Sequence, residues 1–282
     1  MSGSGKEGDV VAIKTQDSLE FYEGYFTGVD HAEQQFDVGT WATRFLLKQH
    51  LGKTPRIHVD IGCGDGHALR DVHAPLRVGI DYSWNTLHQC REVAPAGTLL
   101  VQASATALPF KTGSLDGISS AHVIEHLEHD EWMMKEIERA LRPQGRFVVI
   151  TPGRANGIPD DAERVMNGHF RRYNMTRVQW LMQTVPGLQL ERQICAHRLL
   201  GGIWNRLKWV FRGVNLPLKR WIFCDNRSVF QRRFYQKCLL PLFFWPLEIA
   251  DRLFRARERY FWESDRNSFL MVWSGSRKTH EP

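Results

Sequence analysis

Three glycines at alternate positions, Gly62, Gly64 and Gly66, lie in the stretch "HVDIGCGDGHALRDV" (58–72), directly after a short apolar run. Lacking a Cβ, they let backbone N–H groups come close to a ligand. The spacing is one residue short of the G-x-G-x-x-G turn that seats a pyrophosphate at a helix N-terminus. Asp60, two residues before the first glycine, puts a carboxylate beside the turn, which suits a ligand with an amino group and no phosphate. Asp81 closes "RVGIDYS" about 20 residues on, where an acidic strand end accepts from both hydroxyls of a ribose. A second group, His122, Glu125, His126 and His129, crowds the end of "LDGISSAHV". Open α/β sheets bind their ligands outside such carboxyl ends, and an imidazole there can move a proton.

These residues need a sheet to hold them. From residue 56 onward strand-like and helix-like segments alternate: "RIHVDIG", "GHALRDV", "RVGIDYS", "WNTLHQCREVA", "TLLVQAS", "LDGISSAHV", "EWMMKEIERALR", "RFVVITP". Alternation of this kind calls for parallel strands with crossover helices on both faces. Asp130 reads as the N-cap of a helix in which Met133, Ile137 and Leu141 recur, stopped by Pro143 and Gly145. Asp116, opening a central strand, reads as a group that positions backbone. "MTRVQWLMQTV" reads as a further helix, "LQLERQICAHR" as a strand and "SFLMVWSGSRK" as the last strand. The expected organisation is an N-terminal helical cap (1–55), a core (56–196), a helical insertion (197–267), and a final strand with its tail (268–282).

The 282 residues, 43% of them hydrophobic and 24% charged, fit one elaborated globular domain rather than a disordered or fibrous chain. Five cysteines with no CxxC pair fit neither a disulfide framework nor a zinc site. The start "MSGSGKEGDVVAIK" lacks the apolar run of a signal peptide, so the expected location is the cytoplasm. The net charge of +6 is uneven, because residues 197–282 carry 17 Lys and Arg against 7 Asp and Glu. An asymmetry like this marks either an anionic partner or a solvated basic face.

The blocks "VDIGCGDG", "VGIDYS", "ATALPF", "GSLDGISSAHVIEHL" and "ALRPQGRFVVITP" follow one another over 57–152 in the order of a known layout. The chain thereby resembles the class I S-adenosylmethionine-dependent methyltransferases, in particular their broad small-molecule branch. The resemblance implies a Rossmann-like α/β fold with a seven-stranded, mostly parallel sheet whose last strand is antiparallel. It implies S-adenosylmethionine as cofactor, lined by Asp60, Gly62, Cys63, Gly64, Gly66, Asp81, Tyr82, Ser104 and Ala105. Asp60 would face the amino group, Asp81 the ribose, and the residues before "LPF" the adenine, with Cys63 no more than a small filler. One departure is Ser104, which stands where the family usually has an acidic residue and accepts more weakly. "EHL" is also an ordinary helix start in that family, so Glu125 and His126 are read as structural. His122 and His169, the latter in "GHFRRYN", are the candidate general bases for transfer to a hydroxyl. Arg171, Arg172 and Tyr173 are either acceptor contacts or loop anchors. Such a transfer requires no metal, and none is expected.

The acceptor is expected to be a small molecule, a lipid or a lipid-linked saccharide. The stretch "YQKCLLPLFFWPLEIADRLFRARERYFW" (235–262) is too short and too proline-broken to cross a bilayer. As a helix it would put Ile249, Leu253 and Tyr260 on one face and Arg252, Arg255 and Arg259 on another, suiting either an anionic membrane surface or a cap over the sheet. Six of the ten tryptophans follow residue 196. Nucleic acid ranks third as a partner, since no RNA-binding module is recognisable and "SAHVIEHL" lacks the Pro-Pro-aromatic signature of base methylation. A non-catalytic binding module on the same fold is the competing class.

Overall fold

A computed structural model describes residues 38–52, 54–154, 157–158, 168–196 and 269–279. Seven strands form one sheet: β1 (Ile57–Ile61), β2 (Leu76–Asp81), β3 (Leu99–Gln102), β4 (Leu115–Ala121), β5 (Leu141–Gly153), β6 (Leu188–Ala196) and β7 (Phe269–Arg277). Their spatial order is β3-β2-β1-β4-β5-β7-β6. Pairing is parallel from β3 through β5, and β7 runs antiparallel to both β5 and β6. The parallel strands are those the alternating segments call for, and the count of seven with the last strand inverted is what the family resemblance implies. The 197–267 insertion and the basic and aromatic helix read within it lie outside the described residues.

Four helices accompany the sheet among the described residues: α1 (Val38–Leu51), α2 (Trp84–Val93), α3 (Asp130–Ala140) and α4 (Met175–Thr184). The period-2 pattern of β5 explains why both faces need cover. Phe147 and Val149 join a core with Met133, Ile137, Val178 and Leu181 of α3 and α4, while Val148 and Ile150 pack with Leu46, Leu47 and Leu51 of α1. Adjacent residues on one strand thus anchor opposite layers. Helix starts are fixed locally: the Ser83 hydroxyl accepts from Thr86 N at 3.1 Å and the Asn174 side-chain carbonyl from Arg177 N at 2.9 Å.

Three local readings are corrected. "GHALRDV" is not a crossover helix but a four-residue 3-10 turn, Ala68–Asp71, because Gly66 at φ +81° and the early return to β2 leave no length for more. Asp130 does not cap α3 but is its first residue, and the side chain of His129, at the capping position, makes no bond to the helix. The buried Asp130 carboxylate instead receives the Tyr173 hydroxyl at 2.7 Å, Arg171 at 3.2 Å and the Arg177 guanidinium. Leu141, read as the end of the helical stripe, opens β5, so Pro143 and Gly145 fall inside that strand.

Candidate active site

Strand order reverses between β1 and β4, with β2 and β3 on one side and β5 on the other, the point at whose carboxyl ends open α/β sheets bind their ligands. The Gly62–Gly66 turn leaves β1 at this point. Cys63 N donates to Ile80 O at 2.8 Å and Gly66 N to Cys63 O at 2.9 Å, folding the turn back over β2. Asp81 ties it down: Oδ2 accepts from Gly64 N at 3.0 Å and Oδ1 from Ser83 N at 3.0 Å. One carboxylate therefore joins the glycine turn to the start of α2.

The glycines are required for different reasons. Gly62 has φ +66°, and a Cβ there would overlap Val123 Cγ2; at Gly66 a Cβ would lie 2.7 Å from Cys90 Sγ. Gly64 has φ +53°, but a Cβ would meet nothing within 4 Å and would point into open space. We expect Gly62→Ala to cost roughly 2–4 kcal/mol of stability by overpacking and strain. Gly64→Ala is expected to cost only about 1–2 kcal/mol, from its backbone conformation, yet to weaken cofactor binding at least ~10-fold by filling the cradle. Thermal melts beside titration calorimetry separate the two effects.

Asp60 is 2% exposed and lies opposite Ser119 in the β1–β4 register. Ser119 donates to Asp60 Oδ1 at 2.5 Å, so His58 Nε2, 2.8 Å from the same hydroxyl, must be the donor to it. Burial lowers His58 to about 3, so this ring is neutral. Burial also raises Asp60 against the opposing Ser119 hydrogen bond, and the Asp81 charge adds to the rise, reaching about 7. A buried carboxylate at the edge of ionisation beside the glycine turn has the charge that an ammonium ligand would need.

The histidines separate into two environments. His122 directly follows β4 at φ +58°, unusual for a residue with a side chain, and is 41% exposed. Its Nε2 is 3.0 Å from Thr43 Oγ1 of α1, and its Nδ1 is 3.6 Å from Oε1 of fully buried Glu125. Burial would raise Glu125, but the neighbouring His122 and His126 outweigh it and hold the acid at about 2. His169 is 8% exposed, edge-on to His126 with centroids 4.7 Å apart, and His129 stacks on Trp132 instead. Arg171 donates to Leu127 O and Glu128 O, both at 2.6 Å, and Tyr173 serves Asp130, which makes both residues loop anchors. Asp116 positions backbone as read, accepting from Ile57 N at 2.9 Å while paired with Arg142.

On the far side of Asp81, Tyr82 is exposed, and Ser104 and Ala105 follow β3 half-buried. The Ser104 hydroxyl lies 2.8 Å from Thr106 Oγ1. Cys63 faces Cys90 at 3.9 Å between sulfurs; that hydrogen bond and burial push its thiol well up, leaving a packing group. Thr43, Ser119 and His58 were not singled out in the sequence. Two adjacent serines inside the otherwise apolar "GISSA" were a usable signal for Ser119; nothing local marks Thr43.

Residues 59–149 match the family model described as a methyltransferase domain. A protein of Mycolicibacterium smegmatis named a probable S-adenosylmethionine-dependent methyltransferase is 30% identical over 136 residues, 47% of this chain and 52% of that protein. A demethylmenaquinone methyltransferase of Lactococcus lactis is 31% identical over 101 residues, 33% of this chain and 40% of that one. The chain thus spans about half the length of the curated relatives it matches. Among solved structures, a Haemonchus contortus phosphoethanolamine N-methyltransferase has a TM-score of 0.60 at 17% identity, covering 95% of this chain and 58% of that one.

Proposed function

Because residues 59–149 carry a class I S-adenosylmethionine-dependent methyltransferase domain, we propose that the chain transfers the cofactor's methyl group to a hydroxyl oxygen of a small molecule, lipid or lipid-linked saccharide. The observation that carries this reading is His122, exposed at the carboxyl end of β4 with a buried carboxylate behind it, beside a turn whose Gly64 faces open space. Bound there, the cofactor supplies a methyl group on a sulfonium, already a good leaving group. The chain's own work is to bind, orient and move a proton. Gly62, Gly64 and Gly66, with Cys63 packed beneath, shape the cradle, and Asp60 receives the amino group. Asp81 takes the ribose, and Tyr82, Ser104 and Ala105 border the adenine. His122, rather than the buried His169, takes the acceptor's proton at Nε2 once the acceptor hydroxyl replaces Thr43 there.

A relative named for demethylmenaquinone supports a small acceptor. The basic, aromatic composition of 197–267 supports delivery from an anionic lipid surface, which flotation with anionic vesicles would test; among the described residues no helix is long and apolar enough to cross a membrane. Incubating the chain and a cell extract with deuteromethyl cofactor should give a product heavier by one labelled methyl group on oxygen, read by mass spectrometry. No labelled product, with no demethylated cofactor formed, would instead favour a non-catalytic binding module. That second reading draws on Ser104, whose hydroxyl already contacts Thr106 where a carboxylate would serve adenine better.

A further inference from the structure

We propose that Glu125, His126 and His169 form a site for one divalent transition-metal ion. One donor atom from each lies within 4.8 Å of the other two. The set draws on two separated segments. The 3-10 turn Ile124–His126 supplies Glu125 and His126, and the loop ahead of α4 brings in His169. That loop is held in place independently of any ion, by Phe170 N donating to Glu125 O at 2.9 Å and by the Arg171 bonds to Leu127 O and Glu128 O.

A second observation points to a cation. Glu125 is fully buried, and its Oε2 accepts from Thr151 Oγ1 at 2.8 Å. Its Oε1 makes no hydrogen bond, since His122 Nδ1 at 3.6 Å is beyond bonding range. A buried carboxylate oxygen left without a donor is costly, and an ion bound to it removes that cost. The His126 ring is hydrogen-bonded to the Gly168 backbone, the kind of outer contact that fixes the orientation of a ligating imidazole. Metal–donor bonds of ~2.0–2.2 Å place neighbouring donors about 3 Å apart, so side-chain rotations closing the trio by ~1–2 Å would complete the site.

Two imidazoles and one carboxylate select a borderline first-row ion such as Zn2+, Co2+, Fe2+ or Mn2+ over Mg2+ or Ca2+, which take oxygen ligands. Three protein ligands leave a position open for an outside oxygen. An ion on Glu125 Oε1 lies within about 6 Å of His122 Nδ1, since that oxygen is 3.6 Å from the nitrogen and the metal bond adds ~2 Å. The oxygen it takes is then one offered by the methyl acceptor. This last step rests on the methyl-transfer reading; the site itself does not.

The test uses the full chain stripped with a chelator and dialysed separately against Zn2+, Co2+, Mn2+ and Mg2+, with bound metal counted by mass spectrometry. About one equivalent of Zn2+ or Co2+ is expected, with a raised melting temperature and a cobalt spectrum of nitrogen and oxygen donors. Glu125→Gln and His169→Gln should each weaken binding at least ~10-fold while cofactor binding by calorimetry persists, which also shows that each variant is folded. Metal well below one equivalent, wild-type affinity in both variants, or a thiolate charge-transfer band in the wild-type cobalt spectrum would overturn the site. The wild-type spectrum decides if either variant fails to fold. Metal binding without any cofactor binding would sink the methyl-transfer reading and leave the metal site standing.

Discussion

The substitution Asp60→Asn is expected to weaken S-adenosylmethionine binding by roughly 10–100-fold, the loss of a charge-assisted hydrogen bond of about 1.5–3 kcal/mol in a buried setting. The variant keeps the shape and leaves Ser119 Oγ an acceptor partner, so the change isolates charge. The pH dependence makes the assignment specific. Asp60 ionises at about 7 in the empty protein, raised by burial and by Asp81 against the Ser119 hydrogen bond. An ammonium binds only the ionised form, so wild-type affinity should fall about fivefold from pH 7 to pH 6, below the range where the ligand's own amine titrates. The affinity of Asp60→Asn should be flat across that interval. Calorimetry in two buffers of different ionisation enthalpy would register proton release for wild type alone. A flat wild-type profile would remove Asp60 from the amine.

The same acid shapes stability with the opposite outcome. Because the folded pKa lies above that of an unfolded aspartate, the folded chain holds a proton between about pH 4 and pH 7 that the unfolded chain has released. Stability without ligand therefore falls as pH rises through that window, relative to Asp60→Asn. An amine bound at Asp60 would reverse the penalty, so its binding energy should be largest where the empty site is least comfortable.

How much of this is visible in the chain depends on the range of the interaction. The strands are legible because "RFVVITP" alternates between two buried layers, and Phe147 and Val148 do go to opposite sides of the sheet. The glycine turn is legible because its chemistry is contiguous, with Asp60, Gly62, Gly64 and Gly66 in seven residues. Asp130 misleads because a helix-start aspartate has the same local signature whether it caps or pairs. Its actual partners, Arg171, Tyr173 and Arg177, are more than 40 residues away. Thr43 against His122 and His169 against His126 escape for the same reason, each pair joined by the fold and not by spacing.

His122→Asn should lower turnover by about 10²–10⁴-fold, the usual worth of a positioned general base, while cofactor affinity stays within about twofold of wild type. Asparagine is the informative choice because of the backbone. His122 sits at φ +58°, a region that asparagine enters more readily than most residues, so this variant should be as stable as wild type or slightly more so. A fall in turnover without a fall in melting temperature then belongs to the imidazole and not to the turn. Thr43→Val supplies the contrast. It removes the hydroxyl 3.0 Å from Nε2 without touching the nitrogen itself, so it should shift the apparent acceptor affinity and spare most of the turnover number. Equal losses in the two variants would mean that His122 only fastens α1 to the end of β4. Turnover in His122→Asn within about threefold of wild type would place the proton transfer elsewhere.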